Sequence, residues 1–330
     1  MLRIVTLLAS MVLLLGGCAA VEDFGSSLKY NIQGEFYLQE NKYAEGRETF
    51  LQAVQADPYN PEAHYYYGRF LLADKKARQA LPYLEKAAGL NPKRGAYHFW
   101  LGVAYGEVGD QAQERQSYRQ ALAQDESHVQ ALTYLGNNLL KAGEYEEALA
   151  LYQKAVELWH YTPQALYNRA VILRKLQRVP EERVAWLQYL RAYPAGAFAR
   201  VATERLNSLD DHSFRNHRLG VRTVTLTDIG FVPFTAELAE YALPSLDLVG
   251  TVVNNMKSGV LQVVVYQLNN RELARKRALS IRNYIQESFP ALKRHKRIRI
   301  SWFDVAEQRN VLGRKVSVDE SVRFFLTQAQ

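Results

Sequence analysis

Pro61 to Arg94 read PEAHYYYGRFLLADKKARQALPYLEKAAGLNPKR, and the same spacing of small, aromatic and apolar residues returns every 34 residues from Ser27 to Gly196. Five blocks follow head to tail without a slip of frame: 27–60, 61–94, 95–128, 129–162 and 163–196. Position 8 of each block is Gly34, Gly68, Gly102, Gly136 and Ala170. Position 20 is Gly46, Ala80, Glu114, Ala148 and Glu182, and position 27 is Ala53, Ala87, Ala121, Ala155 and Tyr189. Between these mostly small residues stand large ones: Tyr37, Leu71, Tyr105, Leu139 and Leu173 at position 11, and Phe50, Leu84, Tyr118, Tyr152 and Trp186 at position 24. Pro58, Pro92 and Pro194 occupy position 32, where the other two blocks have Glu126 and His160. Small residues on a fixed spacing let two helices approach closely, and the large ones fill the space that remains. Proline stops the second helix, because its ring clashes with the preceding turn and it lacks an N–H.

This pattern resembles the tetratricopeptide repeat (TPR), two antiparallel helices per 34-residue unit. One such unit cannot bury its apolar face alone, so the resemblance implies a stacked all-α solenoid of five helix pairs. The fifth block departs from the pattern at Arg169, Glu182 and Tyr189, and its Pro180 falls early in the second helix, where proline is tolerated. Phe198, Val201, Ala202, Leu206 and Leu209 have helical spacing and predict a capping helix over 197–209, so that the solenoid covers 27–209.

The chain starts MLRIVTLLASMVLLLGGC. Arg3 heads an apolar run, Ile4–Leu15, too short to span a bilayer stably. Leu15-Gly16-Gly17-Cys18 resembles the bacterial lipobox, and Cys18 is the one cysteine of the chain. The resemblance implies a signal peptide over 1–17 and lipidation of Cys18, with the membrane held through several acyl chains. Ala19 follows the cysteine where a retained inner-membrane lipoprotein has Asp, which implies the periplasmic face of the outer membrane in a Gram-negative envelope. Residues 18–26 then form a tether, its last eight residues reaching about 25 Å at roughly 3.3 Å per residue. With Cys18 acylated, no cysteine remains for a disulfide, a thiol nucleophile or a metal site.

After Leu209 the 34-residue period is gone, and Asp210-Asp211-His212-Ser213 opens a polar break read as a linker over 210–220. Val221–Thr227 alternates as a strand, Phe231 to Asn254 reads as a strand end and a helix, and Val260–Tyr266 as a buried strand. Glu272–Phe289 is a basic helix with Leu273, Ile281, Ile285 and Phe289 on one side, Arg297–Phe303 is a strand, and Val311–Val318 with Ser321–Leu326 suggests a terminal hairpin. The expectation is an α/β sandwich of mixed connectivity over 221–330. Asn270-Arg271-Glu272-Leu273-Ala274-Arg275-Lys276-Arg277-Ala278 resembles the N-x-x-L-S-x-x-R-A motif of the OmpA-like peptidoglycan-binding domain. That resemblance covers roughly 225–326. It implies that Asn270 and Arg277 contribute to peptidoglycan binding, with Arg277 gripping the carboxylate of a stem peptide. The aspartate that the family places after the preceding strand is replaced by Tyr266-Gln267-Leu268-Asn269, and the family's glycine-rich loop is deleted.

Residues 211–330 hold 18 Lys and Arg against 11 Asp and Glu, whereas the remaining residues hold 23 of each. The whole excess of +7 therefore sits in the last third, with clusters at Arg275-Lys276-Arg277 and Lys293-Arg294-His295-Lys296-Arg297. An exported protein seldom meets nucleic acid, which leaves anionic peptidoglycan, lipid head groups, an acidic partner or a merely solvated basic face.

In the repeat family the first helix of each pair lines the concave surface, and positions 5, 6 and 9 point there. The resemblance thus assigns a protein-binding groove to Tyr65, Tyr66, Phe99, Trp100, Tyr134, Asn137 and Tyr167, unless some of these rings are stacking contacts between repeats. Rigid aromatic side chains bury much area at small entropic cost. The family's carboxylate clamp needs Lys at position 5 and Asn at position 9, and only Asn137 meets either requirement.

No H-E-x-x-H, phosphate loop, G-x-S-x-G or cysteine pair is present. His64 and His98 share position 4, a packing site, so their recurrence follows the repeat and not a metal. The reading is of a non-catalytic protein with no cofactor and no metal. It is a periplasmic adaptor whose groove takes a protein partner. Lipoproteins of this kind resemble assembly factors for pili and secretins, including the tight-adherence (Flp) system, and others recruit peptidoglycan hydrolases. The alternative is a cell-wall anchor that binds peptidoglycan through the OmpA-like domain.

Overall fold

The computed structural model describes residues 27–328. The signal peptide, Cys18 and the tether lie outside the described residues. Helices α1 (27–39), α2 (Tyr43–Ala56), α3 (Pro61–Ala73), α4 (Ala77–Leu90), α5 (Gly95–Val108), α6 (Gln111–Gln124), α7 (Val129–Ala142), α8 (Tyr145–Leu158), α9 (Pro163–Lys175) and α10 (Val179–Ala192) form the five expected pairs. The frame is kept to the residue: second helices start at Tyr43, Ala77, Gln111, Tyr145 and Val179, each 34 residues after the last.

Within a pair, the first helix lies on the ring or branched tip at position 24 of the second. A Cβ placed on Gly68 would stand 2.6 Å from Leu84 Cγ, and one on Gly102 would stand 2.6 Å from Tyr118 Cε1. No carbon approaches that closely, so only glycine permits this separation of the helices. Ala80, Ala87, Ala121, Ala148 and Ala155 complete the contact and are fully buried.

Proline plays a smaller part than its spacing implies. The second helices end at Ala56, Leu90, Gln124, Leu158 and Ala192, again 34 apart, yet Glu126 and His160 follow two of them in place of proline. All five close alike, with the N–H of Asp57, Asn91, Asp125, Trp159 or Tyr193 bonded to the carbonyl four residues back. Packing between helices therefore sets the helix end, and proline only agrees with it. First helices start on caps where the sequence offers them: Asn60 accepts from Ala63 N–H at 2.9 Å ahead of Pro61, and His128 Nδ1 accepts from Ala131 N–H at 3.2 Å. His64 and His98 donate through Nε2 to the carbonyls of Pro58 and Pro92 at 2.9 and 2.8 Å, tying each first helix to the turn before it.

The described chain falls into two compact units that divide between His160 and Tyr161, not at the expected boundary after Leu209. The second unit begins with α9 and α10 and continues through the capping helix α11 (Ala197–Ser208). Glu182, the oversized residue at position 20, explains part of this continuity. Its carboxylate is fully buried and takes Arg205 Nε at 2.6 Å, Arg205 Nη2 at 2.9 Å and Trp186 Nε1 at 3.0 Å. Arg205 belongs to α11, so a charge pair replaces the small residue and binds the cap to the repeat.

Residues 210–220 are not a linker. They contain β1 (Phe214–Leu219), which pairs antiparallel with β2 (Arg222–Thr227). Asn207 Nδ2 donates to Phe214 O at 2.8 Å and Asn216 Nδ2 to Arg200 O at 3.0 Å, so α11 is fastened to β1 directly. Next come α12 (Leu243–Asn254), β3 (Val260–Gln267), α13 (Arg271–Ser288), the short α14 (Pro290–Arg294), β4 (Ile298–Phe303), β5 (Glu307–Val311), β6 (Arg314–Val318) and β7 (Glu320–Thr327). The main sheet has the order β4-β3-β7, with β3 parallel to β4 and antiparallel to β7. Ala274, Ala278, Ile281 and Ile285 make the buried stripe of α13, and join Val249, Val253, Leu261, Val263, Val265 and Phe324 in the core.

The expected terminal hairpin is differently built. The hairpin is β5–β6, turning at Leu312 and Gly313, which both have positive φ (50° and 85°). β7 leaves it to pair with β3 from Val260↔Thr327 to Gln267↔Glu320, because Val322 and Phe324 bury their side chains there. β1 reaches β7 through a side chain: His217 Nδ1 accepts the Phe324 N–H at 3.2 Å.

Two outcomes follow. Arg205→Ala leaves the buried Glu182 carboxylate unpaired and destabilises the fifth repeat by about 3–5 kcal/mol in urea unfolding. The double variant Glu182→Ala/Arg205→Ala loses less than Arg205→Ala alone. His217 is 4% exposed, and burial, then Arg215 and Arg309, push its pKa well below 6.5. The neutral ring is the folded form, so its contribution to stability is present above pH 6.5 and is lost as pH falls below that value. The urea midpoint accordingly drops between pH 7.5 and 5. His217→Gln, which keeps an acceptor for Phe324, removes part of the drop.

Candidate functional site

The face built by first helices α1, α3, α5 and α7 of the first unit is where the groove was expected. Its centre is Arg69, whose guanidinium lies 5.2, 5.6 and 4.5 Å from the ring centroids of Tyr65, Tyr66 and Trp100. Glu35, one repeat earlier, takes Arg69 Nη1 at 2.5 Å and the Tyr66 hydroxyl at 3.1 Å. Tyr65 accepts from Arg69 Nη1 at 3.1 Å. Burial first, and then the Glu35 carboxylate, push the Tyr66 phenol up, so it stays a neutral donor. A cation over three rings, tied to a carboxylate, gives this part of the face one fixed shape.

Not every expected groove residue is open to a partner. Tyr65, Tyr66 and Phe99 are buried, at 6%, 2% and 4% exposure. Tyr66 packs on Phe50 (centroids 5.0 Å), Tyr65 on Tyr97 (4.8 Å), and Phe99 on His128 (4.9 Å) and Tyr118 (5.8 Å). Tyr65 and Tyr66 thus join neighbouring repeats, and Phe99 packs on rings of its own repeat. Asn137 accepts from the Tyr152 hydroxyl at 2.6 Å, and so is engaged with its own second helix. Trp100 is half-buried and Tyr134 is 42% exposed, standing edge-on to Phe99 at 5.4 Å. Tyr167 lies in the second unit, half-buried against Trp186, Tyr189 and Phe198. The surface that remains for a partner in the first unit is Trp100, Tyr134 and the edge of Arg69, with Glu35 as its acidic neighbour.

The two residues assigned to peptidoglycan have structural work. Asn270 is the N-cap of α13 and accepts from Leu273 N–H at 3.0 Å. Arg277 is 3% exposed. It donates to Glu320 Oε2 at 2.9 Å, to Thr235 O at 3.0 Å and to the Gln267 side chain, and it covers Phe231 at 4.6 Å. The carboxylate partner missing from the loop after β3 is supplied by Glu320 on β7, 43 residues from the arginine. Arg277 is therefore not a free clamp for a ligand. Arg297, in the second basic cluster, donates to the carbonyls of Met256, Ser258 and Gly259 just past α12 at 2.9–3.1 Å. Lys293, Arg294, His295 and Lys296 remain exposed.

Sequence reasoning missed the polar network of Arg215, Glu307, Arg309 and Ser321. Arg215 donates to both carboxylate oxygens of Glu307, at 2.6 and 2.9 Å, across 92 residues of chain. No local spacing signals such a pair.

Comparison with known proteins agrees with the helical frame. Family models described as tetratricopeptide repeat match residues 37–98, and 71–129, 106–160 and 133–197. A barley protein named as a probable UDP-N-acetylglucosamine–peptide N-acetylglucosaminyltransferase SPINDLY (Hordeum vulgare) is 30% identical over 146 residues, which is 42% of this chain and 15% of that protein. Tetratricopeptide repeat protein 37 of Xenopus laevis is 28% identical over 127 residues, 37% of this chain and 8% of that one. The chain thus spans under a sixth of these relatives, and neither whole-protein name carries over. Among solved structures, pilF of Pseudomonas aeruginosa superposes with a TM-score of 0.52 at 17% identity, over 57% of this chain and 86% of that one, a likeness of fold alone. The register of the helix pairs and the family match agree: residues 37–197 are tetratricopeptide repeats.

Proposed function

We propose that this protein is a non-catalytic adaptor that is anchored by lipid on Cys18 to the periplasmic face of the outer membrane and serves the assembly of an envelope machine. The observation that carries the reading is the repeat face itself. Repeats of this kind act as protein-interaction scaffolds, and here the stacked first helices hold Trp100, Tyr134 and Arg69 on a fixed frame. Aromatic residues and arginine dominate the energetics of protein interfaces, and a rigid presentation lowers the entropy lost on binding. The lipobox-like Leu15–Cys18 supports the anchor, and the short tether after it keeps the repeats near the membrane. A pilus or secretin, the tight-adherence system among them, and a peptidoglycan hydrolase complex are the machines that fit.

A cell-wall anchor through the C-terminal domain is the less favoured reading, because Arg277 is spent on Glu320. Attachment would then rest on the exposed Lys293–Lys296 run.

Photo-crosslinking from position 103, on the same helix as Trp100, captures a defined partner in the envelope fraction on the adaptor reading. Trp100→Ala with Tyr134→Ala weakens that capture about 10- to 100-fold while helical circular dichroism is unchanged. Capture that survives both substitutions refutes the groove, and retention of the purified protein on peptidoglycan sacculi without a partner restores the anchor. Cys18→Ser abolishes incorporation of labelled palmitate and releases the protein from the membrane fraction; wild-type protein found unlabelled and soluble sinks the lipid anchor.

A further inference from the structure

We propose that the C-terminal unit contains a binding site for a small organic oxyanion, centred on Arg309. The site is a cavity of about 610 Å³ formed by α11, β1, β5 and β7. Small-ligand clefts measure roughly 300–1,000 Å³. Four arginines line it: Arg215 and Arg218 on β1, Arg309 on β5 and Arg323 on β7. The carboxylates on its walls are Glu307 and the exposed Glu204.

Glu307 is already committed. Its Oε1 takes Arg215 Nη2 at 2.6 Å. Its Oε2 takes Arg215 Nη1 at 2.9 Å, Arg309 Nε at 2.9 Å and the Ser321 hydroxyl at 2.7 Å. Burial opposes its charge, but the hydrogen bonds and field of Arg215, the field of Arg309 and the Ser321 hydrogen bond hold its pKa down at about 2. It is ionised at neutral pH and receives two guanidinium groups, while the carboxyl of Asp228, pushed up by burial, lies in the field of both arginines without a hydrogen bond to either. Both arginines are largely removed from water, with side chains 14% and 10% exposed.

Arg309 is the group left over. Its Nε is on Glu307, while its Nη1 is buried without a hydrogen-bond partner among the described residues. A buried donor on a cation with nothing to receive it is costly, and an acceptor that carries negative charge answers both the unmade hydrogen bond and the charge. Arg323 adds a second cation on the same wall, at the solvent edge. Histidine does not compete for this role: His217 lines the cavity, and burial and the fields of Arg215 and Arg309 keep it neutral. The planar fork of guanidinium matches the oxygens of a carboxylate or a phosphate, so the shared chemistry of the ligand is an oxyanion head group. Val311, Leu312 and Phe325 supply an apolar wall for the rest of the molecule. The proposal does not rest on the adaptor reading.

Isothermal titration calorimetry of the full chain with inorganic phosphate and, separately, with malonate tests it in chloride buffer. One of the two binds with a submillimolar constant, and the tighter one names the head group. Arg309→Gln weakens that binding at least about tenfold, as expected for loss of a charge-assisted hydrogen bond. Circular dichroism checks that the variant folds. If it does not fold, Arg323→Gln decides, since its exposed side chain can be replaced without opening the core. Absence of heat with both anions, or an affinity unchanged in the deciding variant, overturns the proposal.

Discussion

The contact between a glycine backbone on one helix and a ring or leucine tip on the next is the constraint on which the repeat region depends. At Gly68 and Gly102 a single added carbon would collide with Leu84 or Tyr118. Because the helices meet so closely, alanines suffice for the rest of the seam, and the large residues of position 24 are wholly enclosed. The next pair then stacks on rings already fixed in place. The candidate face inherits its stiffness from this: Arg69 keeps its position over Tyr65 and Tyr66, both buried, and extends from them to the half-buried Trp100.

Where the small-residue rule fails, charge takes over. Glu182 occupies a seam reserved for glycine or alanine, and Arg205 of the cap neutralises it. Glu114, the other exception, accepts from Asn138 of the following repeat at 2.8 Å. The C-terminal unit extends the same device. Arg215, Arg277 and Arg297 are each held by carboxylates or carbonyls, so part of the basic excess of the last third is internal architecture rather than a surface for partners.

The two candidate sites differ in how far they were legible. The helix frame was, because a spacing of 34 residues repeats five times and every repeat tests the others. The groove was legible as a face but not as a surface. Tyr65 and Phe99 look no different in sequence from Trp100 and Tyr134, and only the rings packed on them, Tyr97 on the first and Tyr118 and His128 on the second, set them apart. The motif around Arg277 located a helix correctly, including its cap at Asn270. It misplaced the arginine's role, because Glu320 arrives from a strand that the sequence placed in a terminal hairpin.

Periodicity is a local property, and the pairing of helices, the seams and the small and large positions could be read from residue types and spacing. Tertiary structure alone decided what depends on segments brought together from afar. The joining of the cap to β1, the return of β7 to β3 and the pairing of Arg215 with Glu307 across 92 residues are of this kind. Such contacts form only once the intervening chain has been ordered, and their partners carry no spacing that marks them beforehand.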